Sequence, residues 1–251
     1  MRSIDVAGFE AKFAGDGDPW STWTDRDEAV KRRAILHALG PGPLGRVLEL
    51  GAGNGSNSLA LARRALRLDA TEATASGTDL VAAAIACHAP RARASMLVVP
   101  EAPPRSAYDA VVVAELLYYL DARAMAQLAR QVVRLLRPGG QLVLAHHRIT
   151  FYDFAQHAEG IHDRFLHATG TSWRKRDVRR TGRWSVLAGT LACRGSPELF
   201  RSRLTERLHL AVDQGARARK GSAGRSIAGG SRTRDDGFGA SRVRDALEGM
   251  T

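Results

Sequence analysis

Three glycines and two acids carry the first chemistry that can be read in this chain. Glu49-Leu50-Gly51-Ala52-Gly53-Asn54-Gly55 lies where an apolar run meets a helical one. Glycines let a backbone turn tightly and approach a ligand closely, and the helix that follows presents free N–H groups. Glu72 stands about 20 residues beyond Gly51, where an acid accepts hydrogen bonds from ribose hydroxyls. The pattern points to a nucleotide-like ligand held by Glu49, Gly51, Ala52, Gly53, Asn54, Gly55 and Glu72. A plain strand-to-helix turn is the competing reading of the glycines alone. The dinucleotide fingerprint places its third glycine at the sixth position. Here Ser56 stands there and the glycine falls on the fifth.

A second set could move protons. Glu115 leaves a strongly apolar strand at its carboxyl end, where an unpaired charge is costly. Tyr118 and Tyr119 follow it. His146 and His147 end another apolar run, and strand neighbours alternate, so one of them faces the ligand crevice. We expect that one to be His146. Carboxylates and imidazoles orient a nucleophile and take its proton. The bland readings are a helix cap for Glu115, a packed histidine for His146 and a buried aromatic for Tyr119. His157, His162 and His167 share one helical stretch, and His162 beside Asp163 is a further candidate. Their spacing of five does not put them on one helix face, so no metal site is expected.

The elements that must position these groups alternate. Strands are expected at 46–50, 66–72, 94–99, 108–114 and 141–146, with helices at 56–64, 76–87 and 122–137 between them. That rhythm makes βαβ units, a buried parallel sheet and right-handed crossovers, hence a Rossmann-like doubly wound α/β fold. Residues 1–23 are mixed; Thr24 looks like the N-cap of a helix that Gly40 closes. A helix at 153–168 and strands at about 172–179 and 184–193 follow. Thr181-Gly182 between these strands signals a hairpin, which adds an antiparallel C-terminal edge. Pro197 opens one more amphipathic helix, and beyond about Gln214 the chain is too polar to order itself. We therefore expect one domain at 1–195, with an N-terminal cap over about 1–40, and an appendage at 196–251.

The chain has 251 residues and a formal net charge of +11. Lysine stands only at Lys12, Lys31, Lys175 and Lys220, so nearly all the cations are arginine. No stretch approaches the roughly 20 apolar residues of a membrane span, and Met1-Arg2-Ser3-Ile4-Asp5 lacks the apolar middle of a secretory signal. Cys87 and Cys193 cannot make a disulfide framework, and both are expected in the core. The expectation is a soluble, cytoplasmic protein without a membrane partner. Much of the basic excess lies between Arg174 and Arg183 and in the tail, away from the glycine loop. Nucleic acid is thus possible as a partner but not favoured. Oligomeric state is left open.

The glycine spacing, with an acid two residues before Gly51, resembles motif I of class I S-adenosyl-L-methionine (SAM) methyltransferases. Leu136-Arg137-Pro138-Gly139-Gly140-Gln141-Leu142 resembles their turn before strand five, and the C-terminal hairpin fits them too. Asp18-Pro19-Trp20, Val113-Ala114-Glu115-Leu116-Leu117-Tyr118-Tyr119-Leu120 and Leu142-Val143-Leu144-Ala145-His146 narrow the likeness to the NodS family, over roughly 9–194. Its members N-methylate the free amine of a deacetylated chitooligosaccharide.

The resemblance implies the class I methyltransferase fold, SAM as cofactor and S-adenosyl-L-homocysteine as product. It puts Gly51, Gly53 and Gly55 along the methionine and ribose of SAM and makes Glu72 the ribose acid. Glu115 and Tyr118 fall at the boundary with the acceptor, and Trp20 covers the site. The acceptor expected is a small molecule, an amino sugar or oligosaccharide. Pro100-Glu101-Ala102-Pro103-Pro104 departs from the pattern where an acid and an amide often flank adenine. Two rivals stay open: methylation of RNA or another polyanion guided by the basic C-terminal region, and a non-catalytic SAM-binding module. The NPPY-type motif of base-amine methyltransferases is absent after strand four.

Overall fold

The computed structural model describes residues 3–192. The chain begins with two helices, α1 (Val6–Gly15) and α2 (Arg26–Ala38). The alternation then runs β1 (Leu44–Leu50), α3 (Ser56–Ala62), β2 (Ala65–Glu72), α4 (Ala75–Ile85), β3 (Ala92–Met96), β4 (Tyr108–Ala114), α5 (Ala122–Leu135), β5 (Leu136–His147), α6 (Ile161–Ala168), β6 (Trp173–Arg180) and β7 (Trp184–Leu191). The seven strands form one sheet in the order β3-β2-β1-β4-β5-β7-β6. β1 to β5 are parallel, whereas β7 and β6 join antiparallel to β5. The expected doubly wound sheet with an antiparallel edge is what the chain forms.

Strand alternation divides the core into two layers. Val47, Ala70, Val112, Val143 and Ala145 face α2, α3 and α4. Leu48, Leu50, Val111, Val113, Leu142 and Leu144 face α5 and α6. β4 is buried on both faces, which explains why Ala110–Ala114 reads as a continuous apolar run.

Several boundaries differ from expectation. Asp25, not Thr24, caps α2, accepting from the amides of Asp27 and Glu28. The Pro138-Gly139-Gly140 turn lies inside β5, because α5 already ends at Leu135. The helix expected at 153–168 is confined to α6, which starts after Gly160 at φ +68°. Residues 153–160 instead follow tertiary contacts: Ala155 and Gln156 donate their amides to the Tyr118 carbonyl. Cys87 is exposed rather than in the core. Cys193, the helix expected from Pro197 and the tail lie outside the described residues. Among the described residues no helix is long and apolar enough to cross a membrane.

Candidate active site

Two strand ends build the ligand crevice. β1 runs out into Gly51, Gly53 and Gly55, with φ of +68°, +61° and +82°. Side-chain-bearing residues disfavour that region, so the glycines are dictated by the turn. They differ in their surroundings. A Cβ on Gly55 would lie 2.7 Å from Ala84 Cβ, and one on Gly51 would lie 3.3 Å from Leu116 Cδ1. A Cβ on Gly53 would meet nothing closer than Phe13 Cζ at 3.9 Å, so the crest of the loop presents open backbone. The Gly53 amide donates to Glu72 Oε2 at 2.9 Å, and the Ala52 amide to the Thr71 carbonyl at 2.9 Å.

Glu49 and Glu72 are both buried beneath this loop. Burial pushes the Glu49 carboxyl up to about 7; Ser58 Oγ, donating at 2.6 Å, works against the shift and Glu72 adds to it. Burial also raises Glu72, against the Gly53, Ala73 and Thr74 amides that hold its charge. Two carboxyls short of countercharge, below an open glycine crest, suit a cationic ligand with hydroxyls.

Asn54 is turned elsewhere. Its Nδ2 donates to Asp18 Oδ1 at 2.8 Å and to the Gly17 carbonyl, and its Oδ1 accepts from Thr22 Oγ1 at 2.9 Å. It therefore ties the N-terminal segment to the loop rather than offering polar atoms to a ligand. Glu10 reinforces that tie, accepting from the Ala75 and Ser76 amides at the start of α4. Trp20 is 42% exposed and packs against Phe9 and Phe13. It is Phe13, buried, that reaches over Gly53.

Glu115 sits beyond the end of β4 at φ +52°, an uncommon conformation for a residue with a side chain. Its Oε1 accepts from Lys31 Nζ, and its Oε2 accepts from Tyr118 OH and, at 3.1 Å, from the His147 amide. Burial works to raise its pKa, but Lys31 foremost, then His147 and the Tyr118 hydroxyl, hold it below the usual carboxylate value. Burial and then Glu115 push the Tyr118 hydroxyl well above its ordinary value. Glu115 keeps 28% of its side chain exposed, so this charge is reachable from the crevice. It does not cap the next helix; Asp121 caps α5.

The expectation for His146 is corrected. His146 shares strand parity with Leu142 and Leu144 and points into the α5–α6 layer, fully buried. Its Nε2 accepts from the Leu116 and Leu117 amides and its Nδ1 meets His162 Nε2 at 3.0 Å, so both nitrogens are engaged. His147 has the opposite parity. Its Nε2 lies 3.8 Å from Glu115 Oε1, and its Nδ1 has no hydrogen-bond partner.

Lys31 and Phe154 were missed from sequence. Lys31 is 2% exposed and also donates to Glu28 Oε1 at 2.7 Å. The signal was there: Lys31, Ala34, Ile35 and Ala38 form the buried face of α2, and a lysine on an apolar face demands a partner. Phe154 stacks on Tyr118 at 3.7 Å between centroids and 9° between planes. Phe9, Tyr119 and Phe151 extend an aromatic wall, and Phe151 and Tyr152 are exposed. Among the described residues no cluster of His, Cys, Asp and Glu could hold a metal ion.

Residues 47–140 match a family model described as "Methyltransferase domain". No curated protein sequence matches the chain. Among solved structures, the N-methyltransferase NodS from Bradyrhizobium japonicum WM9, in complex with S-adenosyl-L-homocysteine, superposes with a TM-score of 0.64. It is 18% identical and covers 74% of this chain and 97% of its own. A putative methyltransferase from Pseudomonas syringae is 25% identical at a TM-score of 0.56, over 66% of this chain and 99% of its own. Phosphoethanolamine N-methyltransferase 1 from Haemonchus contortus, in complex with phosphoethanolamine and S-adenosylhomocysteine, is 18% identical at a TM-score of 0.54. It covers 77% of this chain and 51% of its own. The fold is the class I methyltransferase fold, and the chain resembles NodS.

Proposed function

We propose that this chain is a SAM-dependent methyltransferase whose acceptor is a small molecule carrying an amine, most simply an amino sugar or oligosaccharide. The observation that carries the reading is the glycine crest at Gly53, open to a ligand and tied to Glu72 at 2.9 Å. The residues fit SAM: the loop leaves room for a close backbone approach, and Glu72 beneath it offers a carboxyl to ribose hydroxyls. SAM supplies a methyl group already activated on a sulfonium. The chain therefore has to position the nucleophile, free its lone pair and exclude water.

Glu115, held ionised by Lys31, is placed to orient an acceptor amine. His147, with Nε2 3.8 Å from Glu115 Oε1, adds to the groups that hold this carboxylate in place. Tyr118 donates to Glu115 and braces that carboxylate against the aromatic wall. Exposed Phe151, Tyr152 and Trp20 supply flat apolar faces on which a sugar ring can stack. Basic β6 is the outermost strand, four places from β1 in the sheet, which favours a small acceptor over a polyanion. The methyltransferase domain spans 1–195 in this reading.

Calorimetry tests it. SAM and S-adenosyl-L-homocysteine should compete for one site per chain, and a glucosamine oligomer should gain methyl groups in the presence of SAM. A folded chain without affinity for SAM sinks the reading. Methylation of RNA but not of any amine would shift it to the polyanion rival.

A further inference from the structure

His146 and His162 are two buried imidazoles that the chemistry above does not use. Their hydrogen bonds leave only one arrangement of protons. His146 Nε2 lies 3.3 Å from the Leu116 amide and 3.1 Å from the Leu117 amide. Backbone amides only donate, so Nε2 carries no proton and Nδ1 must carry it. Nδ1 is 3.0 Å from His162 Nε2, which must then accept. The proton of His162 is thereby placed on its own Nδ1. Two neutral rings in series join the start of α6 to the chain that follows β4.

The two amides they reach are otherwise hard to satisfy. They open the short 3-10 turn Leu117–Tyr119, whose first amides have no partner within the turn. Leu117 is fully buried, away from water that would serve instead. Glu115, immediately before them, is the residue at φ +52°. Its own amide donates to the Ala145 carbonyl at 2.8 Å. The backbone that aims Glu115 is thus fixed by β5 on both sides of the strained residue: by Ala145 before it and by His146 after it. Strain of this kind persists only where the surroundings hold it. The Tyr118 ring also stands edge-on to His146, with centroids 5.4 Å apart.

We propose that His146 and His162 form a two-imidazole relay that sets the aim of Glu115 and Tyr118, making both positioning residues. The proposal rests on Glu115 meeting the acceptor, but its geometry is testable without any acceptor. Long-range nitrogen–proton correlation spectra of the labelled full chain should show a bare Nε2 and a protonated Nδ1 on both residues. A proton on His146 Nε2 overturns the relay outright, and this readout needs no variant to fold.

His162→Leu removes the acceptor that His146 Nδ1 requires, whereas His162→Gln keeps an oxygen there. His162→Leu should speed amide exchange at Leu116 and Leu117 about tenfold or more, the scale of one lost hydrogen bond. His162→Gln should restore most of that protection. With a glucosamine oligomer as the methylated probe, kcat should fall about tenfold in His162→Leu and recover in His162→Gln. SAM affinity should stay within about twofold in both, since neither touches the glycine loop. Equal exchange in the wild type and His162→Leu, or equal kcat, overturns the proposal. A wild-type chain that does not bind SAM ends the methyltransferase reading and leaves the relay to be decided by the spectra and exchange.

Discussion

The Gly53 amide donates to the Glu72 carboxylate at 2.9 Å, so the end of β2 fixes the crest of the loop that leaves β1. Glu72 therefore holds the loop, and in the proposed function it also faces the ligand. Glu72→Gln keeps an acceptor for Gly53 but loses the charge; Glu72→Ala loses both. Hydrogen bonds to charged groups are worth about 1.5–3 kcal/mol. Glu72→Ala should weaken SAM binding by about tenfold to a hundredfold, and Glu72→Gln by less. Calorimetric affinities within about twofold of the wild type for Glu72→Ala would exclude this role.

Gly53 and Gly55 make a sharper contrast, because both have positive φ but only one has a crowded neighbourhood. Gly55→Ala would press a methyl group onto Ala84 and Val81 of α4, at 2.7 and 3.0 Å. It should destabilise the fold by about 1–3 kcal/mol from overpacking alone, with backbone strain added. Gly53→Ala carries the strain without the clash, so the chain should fold and lose SAM affinity at least about tenfold. Urea titrations paired with calorimetry separate the two. A Gly53→Ala chain that binds SAM normally would show that the open crest is not where the ligand lies.

Much of this was legible from sequence because the signals are local. Alternating apolar runs gave the parallel strands, the glycines gave the β1–α3 turn, and Thr181-Gly182 gave the β6–β7 hairpin. What was not legible depends on tertiary contacts. α1 has glycine at both Gly8 and Gly15 and buries only Phe13, so its helical signal is faint; Glu10 and Phe13 anchor it to α4 and the loop. Residues 153–160 read as helix, yet the Tyr118 carbonyl and the Phe154 stack hold them in another path. Choosing His146 over His147 was a matter of strand parity. Leu142 and Leu144 share that parity and pack under α5 and α6, which the sequence does not say in advance.

Lys31 and Glu115 should behave as a coupled pair. With Lys31 in place, Glu115 is held below its ordinary value despite burial. Lys31→Met removes the largest opposing influence, so the Glu115 carboxyl should titrate at a higher pH than in the wild type. Breaking a fully buried pair costs about 3–5 kcal/mol. The exposed 28% of Glu115 and its bonds to Tyr118 and His147 should keep the loss of stability below that. Carbon-detected titration of Glu115 checks the first point and urea unfolding the second. A Glu115 titration that does not move on Lys31→Met would refute the pairing.

The pH dependence of stability should carry two opposing slopes. Burial drives His162 down to about 4 and His146 well below its ordinary value. The unfolded chain takes protons at about 6.5. Stability from the two histidines is therefore complete above 6.5 and falls as the pH drops toward 4, where the unfolded state binds more protons. Glu49 acts in the other direction. Its folded carboxyl titrates at about 7 against 4.5 unfolded, so stability falls as the pH rises from 4.5 to 7. For His162 and for Glu49 the effect is on the order of 3 kcal/mol, and the two partly cancel between 4.5 and 6.5. Variants separate them. Glu49→Gln still accepts from Ser58 but has no proton to lose, so it should be more stable than the wild type above pH 7 and indistinguishable below 4.5. His162→Gln should flatten the acid side and leave the alkaline side unchanged. Urea midpoints measured from pH 4 to 8 decide both. A Glu49→Gln curve that runs parallel to the wild type throughout would mean that Glu49 is ionised in the folded chain.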